Sequence, residues 1–102
     1  MKAAVAKTPV AVEVDAGNQS FQYYVKGIYT GKCGTRPDHG LVATGYSIQS
    51  GKDYWILKNS WSITWGNKGY IWMAQTGDGK GLCGMYLDSA FPIVGEWFDW
   101  II

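Results

Sequence analysis

The sequence predicts an α+β domain that is mainly antiparallel β, with about five strands and one or two short helices. Three observations carry that prediction. "VAVEV" (residues 10–14) alternates and is rich in β-branched residues. Two longer runs of strand formers, His39 to Ile48 and "DYWILKNSW", are separated by the short polar turn "QSGK" and read as a hairpin. Glycine-rich stretches such as "TGDGKG" punctuate the rest.

In chain order, "KAAVAK" holds helix formers and reads as a helix tail stopped at Thr8-Pro9. "VAVEV" follows as a strand, with Val10, Val12 and Val14 on one face and Ala11 and Glu13 on the other, so Glu13 points away from the valine core. Asn18 can cap a helical turn "QSFQYYVKG" that ends at Gly27. "IYTGKCGTRPD" reads as a loop, the hairpin follows, "GYIWMAQ" is a further strand, and "AFPIV" is a last extended segment. Tyr46, Tyr54, Trp55 and Tyr70 read as core or sheet-face packing.

Composition narrows the function classes. With 102 residues, 47% hydrophobic and 17% charged, the chain is at most one globular domain. A domain of this size hides roughly two thirds of its unfolded surface, so it needs a crosslink or a partner to be more than marginally stable. A formal charge of +1 without charge runs argues against nucleic-acid or anionic-membrane binding. Apolar stretches are too short to span a bilayer, and "MKAAVAK" is too short for a secretory signal. Cys33 and Cys83 sit in similar settings, "GKCGT" and "GLCGM", and are either a disulfide or two free thiols. Closing a loop of that length is worth roughly 4 kcal/mol and requires an oxidising compartment. "NQS" at Asn18 fits the N-glycosylation pattern, a short motif that recurs by chance.

The chemistry centres on His39, the chain's one histidine, and on Asn59 in "KNSWSITWG". A hairpin turn centred near residues 49 and 50 sets the two opposite each other. A tighter turn at 50 and 51 leaves them on opposite faces, because one residue of slip inverts a strand. An imidazole held by an amide oxygen is a general acid and base with a fixed tautomer. Trp61 and Trp65 would keep water from that bond. A structural histidine beside a tryptophan-rich core is the competing reading.

The flanking residues separate the two. "DHGLVATGY", "DYWILKNSWSITWGNKGY" and "CGMYLDSAFPIV", preceded by "PVAVEVDAGNQSFQYYVKGIYTGKCG", resemble the C-terminal half of papain-like cysteine peptidases. The likeness covers residues 2 to about 94, so 1–94 is the half-domain and 95–102 an apolar tail outside the family. In fold, the resemblance implies the C-terminal β-barrel-like domain of the papain fold with the N-terminal helical domain absent. In function, it implies proteolysis by a Cys–His–Asn arrangement. His39 becomes the partner of a thiolate, Asn59 the residue that orients it, and Trp61 the indole over their bond. Trp65, Asp38 and Gly40 belong to the cleft edge, and Cys33 and Cys83 form a family disulfide. The motif that carries the nucleophilic cysteine and the oxyanion-stabilising glutamine do not occur here, so the chain alone is expected to be inactive. Ser62 stands where glycine is common in the family.

Aligned to the family, Glu13 and Asp88 fall in the pocket for the second substrate residue upstream of the cut. Two carboxylates there would favour Arg or Lys, or they are solvated surface acids. The resemblance implies no metal or cofactor, and a secreted, lysosomal or vacuolar-like location. Expected partners are a peptide substrate, an N-terminal Cys-bearing half, a proteinaceous peptidase inhibitor, or a second copy through the exposed domain face. The tail "GEWFDWII" would fold back over that face, dimerise or aggregate. Two function classes follow: half of a split peptidase, or a non-catalytic module that binds peptides, peptidases or inhibitors.

Overall fold

The computed structural model describes residues 2–31, 33–77, 79–87, 89–93 and 96–99. Its elements are α1 (Lys2–Val5), β1 (Val10–Val14), α2 (Gln19–Gln22), β2 (Ile28–Tyr29), β3 (His39–Gln49), β4 (Lys52–Lys58), β5 (Tyr70–Ala74), a 3-10 turn (Leu82–Gly84), β6 (Ser89–Ile93) and β7 (Glu96–Asp99). The strands form a seven-stranded sheet in the order β2-β5-β4-β3-β1-β6-β7, antiparallel except where β2 runs parallel to β5.

Alternation sets the core. Val10, Val12 and Val14 are buried and pair with Ala43, Leu41 and His39 of β3, while Glu13 is exposed opposite Gly40. Leu57, Ile71 and Met73 continue the buried face across β4 and β5. Each such side chain fully removed from water contributes roughly 1.5–3 kcal/mol. Trp55 and Tyr54 are buried, whereas Tyr46 is 40% exposed and lies edge-on to Trp55.

Three elements depart from the local sequence signals. The helix after Asn18 is one turn long, because Tyr23 leaves helical geometry and Tyr24 turns inward to pack on Tyr29 and Trp65. Burial pushes the Tyr24 phenol above its ordinary pKa, partly offset by a hydrogen bond from the Trp72 amide. Ile28 and Tyr29, expected in a loop, form a strand against Trp72 and Met73, a pairing far along the chain that leaves no local pattern. A 3-10 turn at Leu82–Gly84 follows the glycine-rich turn, and its middle residue, Cys83, has φ +55°. Residues 96–99 of the tail pair with 90–93 of β6.

The disulfide is present between Cys33 and Cys83, with Cα atoms 5.2 Å apart. It joins the loop that leads into β3 to the 3-10 turn. The Cys83 carbonyl in turn accepts the Asp15 amide at the end of β1.

The β3–β4 hairpin closes through Ser50 and Gly51, both at positive φ, with Gln49 facing Lys52. Continued without interruption, that tight turn would put His39 and Asn59 on opposite faces. A bulge at Thr44 prevents it: Gly45 faces Ile56 but Ala43 faces Leu57, so Thr44 is an extra residue in β3. Its hydroxyl donates to the Ile56 carbonyl at 3.3 Å. Beyond the bulge His39, Leu41 and Ala43 share a face with Leu57, and Asn59, two residues on, comes out on that same face.

Deleting Thr44 leaves the pairs on both sides of the bulge intact. The shortened chain is therefore expected to fold and to keep the His39–Asn59 hydrogen bond, seen as a slowly exchanging imidazole N–H in proton–nitrogen NMR. Loss of that signal in a folded variant would show that bulge geometry, rather than residue count, sets the pair.

Candidate active site

His39 opens β3 opposite Val14 and is half-buried. Its Nε2 lies 2.7 Å from Asn59 Oδ1. Asn59 follows the end of β4, is 6% exposed, and donates its backbone N–H to the Gly69 carbonyl at 2.9 Å. The same Oδ1 accepts the Ser60 amide at 2.7 Å. A backbone N–H can only donate, so the oxygen of Asn59, not its NH2, must face both Ser60 and the imidazole. An oxygen accepts only, so the proton of neutral His39 sits on Nε2 and leaves Nδ1 as the basic nitrogen. Asn59 Nδ2 is buried and has no hydrogen-bond partner among the described residues. An orphan of that kind costs roughly 1–3 kcal/mol, which the two bonds to Oδ1 offset.

An aromatic wall backs the pair. Trp61 stacks on the imidazole with ring centroids 4.8 Å apart and planes 28° from parallel. Phe21 of α2 meets Trp61 edge-on at 5.7 Å, and Trp65 meets it edge-on at 5.3 Å. Trp65 is buried one layer behind Trp61, and its indole N–H donates to the Gln22 carbonyl at 2.9 Å. The structure thus puts Trp61 against the ring and uses Trp65 to hold Trp61 and α2 in place.

Asp38 is exposed and clamps β3 to β1. Its backbone N–H donates to the Val14 carbonyl and its Oδ1 accepts the Ala16 amide, each at 3.0 Å. Gly40 and Glu13 face each other on the sheet surface turned away from the valines. Asp88, expected beside Glu13, lies outside the described residues, as do Gly95 and the last three residues of the tail. Ser62 has φ +73°, a conformation glycine adopts at no steric cost. Its hydroxyl compensates by accepting the Thr64 amide at 3.3 Å and pairing with the Thr64 hydroxyl at 2.8 Å. Asn18 caps α2, with Oδ1 accepting the Phe21 amide at 3.0 Å.

The arrangement can hold an imidazole in one tautomer with one nitrogen available for proton transfer. Both cysteines of the chain are in the disulfide, so these residues present no thiolate. Among the described residues no group of three or more His, Cys, Asp or Glu side chains could hold a metal ion. Residue-type reasoning missed three contributors: the Ser60 backbone amide, Thr44 with its bulge, and Phe21. The "NSW" tripeptide carries no sign of the first, because every residue but proline has an amide.

Comparison with known proteins gives a consistent result. A family model described as papain family cysteine protease matches residues 1–93. Cysteine proteinase COT44 of Brassica napus is 48% identical over 94 residues, which are 91% of this chain and 29% of that protein. The KDEL-tailed cysteine endopeptidase CEP2 of Arabidopsis thaliana is 46% identical over 91 residues, 88% of this chain and 25% of that protein. Among solved structures, the bromelain protease of Ananas comosus in complex with the E64 inhibitor matches with a TM-score of 0.84 and 43% identity, covering all of this chain and 45% of that one. The chain therefore spans less than a third of the curated relatives named and less than half of the bromelain chain.

The tautomer argument is testable. Asn59→Ala removes the acceptor of the Nε2 proton, worth roughly 1 kcal/mol or about a fivefold shift in tautomer ratio. Nitrogen shifts of His39 are expected to move from a nearly pure Nε2–H form toward a mixture, while Ser60→Ala, which keeps its amide, leaves them unchanged.

Proposed function

The chain belongs to the papain family of cysteine proteases, and from that premise we propose that it is the histidine- and asparagine-bearing half of a peptidase. It would act with a half that supplies the nucleophilic cysteine. The observation that carries this reading is the 2.7 Å contact between His39 Nε2 and Asn59 Oδ1. A purely structural histidine has no need of an acceptor itself pinned by the Ser60 amide.

His39 Nδ1 would take the proton of a thiol from the other half, giving a thiolate and an imidazolium, and later return a proton to the leaving amine of the cleaved peptide. Asn59 would hold the ring through both steps, and Trp61 would keep water from their bond. Because both cysteines of this chain are paired with each other, hydrolysis would need the second half, and the chain alone would be inactive.

Glu13 and Gly40 belong to the sheet face away from the valine core, where an exposed carboxylate opposite a residue with no side chain leaves open space. We assign Glu13 to the pocket for the second substrate residue upstream of the cut, with a preference for Arg or Lys there. The disulfide supports an oxidising destination, secreted or vacuolar-like.

Reconstitution tests the reading. The chain mixed with a papain-like N-terminal half is expected to hydrolyse a fluorogenic dipeptide substrate, in a manner abolished by a thiol-directed inhibitor and by His39→Ala. No turnover by the mixture, with the chain folded and binding peptide or an intact peptidase, would replace this reading with that of a non-catalytic binding module.

In the active mixture, Glu13→Leu should lower the preference for Arg-Arg over Phe-Arg substrates by roughly two- to fivefold, as fits a solvent-exposed ion pair. An unchanged ratio would remove Glu13 from the pocket.

A further inference from the structure

The chain leaves Trp61 through a strained residue. Ser62 has φ +73°, and Gly66, Lys68 and Gly69 further along the same loop also have positive φ, between 53° and 90°. Glycine takes such angles freely, whereas a residue with a side chain keeps them only where its surroundings over-determine them.

Backbone hydrogen bonds supply part of that hold. The Asn59 amide donates to the Gly69 carbonyl at 2.9 Å, the Gly69 amide to the Trp65 carbonyl at 2.8 Å, and the Trp65 amide to the Ser62 carbonyl at 3.3 Å. All three are open to any residue at position 62, glycine included. The Ser62 hydroxyl adds what glycine lacks: it accepts the Thr64 amide at 3.3 Å and lies 2.8 Å from the Thr64 hydroxyl. Ser62, Ile63 and Thr64 are exposed, so their side chains contribute little packing to hold this corner instead.

We propose that Ser62 is a positioning residue for His39: its hydroxyl fixes the direction in which the chain leaves Trp61 and so keeps the indole stacked on the imidazole. Trp61 is only half-buried. Its stacking on His39 and its edge-on contacts with Phe21 and Trp65 are directional, and a rotation of the backbone at the next residue disturbs all three. Glycine at position 62 is free to take φ of either sign, while serine leaves +73° only by giving up its bonds to Thr64. A displaced indole opens the His39–Asn59 bond to water. That consequence for catalysis rests on the peptidase reading, whereas the positioning is a property of this chain alone.

Two substitutions separate the hydrogen bonds from the backbone angle. Ser62→Gly accepts the angle without strain and deletes the hydroxyl. Asparagine also tolerates the left-handed region, and its side-chain oxygen accepts the amide two residues on, so Ser62→Asn replaces the bond to Thr64. A residue needed only for backbone shape is served by glycine at least as well as by asparagine.

The experiment is NMR relaxation dispersion at the His39 ring and the Trp61 indole of the folded full chain, for the wild type, Ser62→Gly and Ser62→Asn. It reads the population of an unstacked minor state that exchanges in microseconds to milliseconds. The expected result is a minor population about fivefold larger in Ser62→Gly, as fits the loss of one hydrogen bond, and a return to the wild-type level in Ser62→Asn. Equal populations in the wild type and Ser62→Gly overturn the proposal, and so does a Ser62→Asn population as large as that of Ser62→Gly. No partner half is present in this measurement, so its outcome is independent of whether the reconstituted mixture turns over peptide.

Discussion

The register of the β3–β4 hairpin is the constraint on which the site depends. Were Thr44 paired within the ladder, the two-residue turn would put His39 and Asn59 on opposite faces of the hairpin. The bulge absorbs one residue of β3, so that Gly45 faces Ile56 and Ala43 faces Leu57. From there the alternation of both strands delivers the imidazole and the amide to the core side, where burial strengthens their hydrogen bond. The valine face of β1 then locks the result, because Val14, Val12 and Val10 accept only His39, Leu41 and Ala43 as partners without exposing the core.

Around that register the molecule uses its limited core to hold a few atoms still. Phe21, Trp61 and Trp65 form a chain of edge-on ring contacts that ends on the stacked imidazole. Asp38 ties the start of β3 to the end of β1, and the disulfide ties the preceding loop to the 3-10 turn beside the same strand. A domain of about a hundred residues is only marginally stable from burial alone, and a crosslink worth roughly 4 kcal/mol is then a large share of its stability.

The use of cysteine divides structure from chemistry. Both cysteines here are consumed by the crosslink, and the imidazole that they cannot reach is held in one tautomer by a backbone amide acting through Asn59. A pair held in this way is pre-organised, and under the proposed function that would limit the reorganisation needed when a nucleophile-bearing half is present. On the opposite sheet surface Glu13 is exposed opposite Gly40, so the carboxylate and the His39–Asn59 pair lie on different faces of the same two strands.

Much of this was legible in the residues themselves. The alternation of "VAVEV" determined the buried valines and the outward Glu13, because side-chain direction in a strand has a period of two. The motifs around His39, Asn59 and Trp61 determined the family, and Asn18 identified itself as a cap. Other features were decided only by contacts across the chain. Ile28 and Tyr29 became a strand because β5 offered an edge, and Tyr24 broke its helix to reach a core assembled from distant residues. The bulge arose from reconciling a tight turn with a buried face, and the Ser60 amide became an anchor only once the backbone had curled under Asn59. Local sequence encodes side-chain pattern and turn chemistry. Register, and the use of backbone groups as partners, exist only when segments far apart in the chain meet.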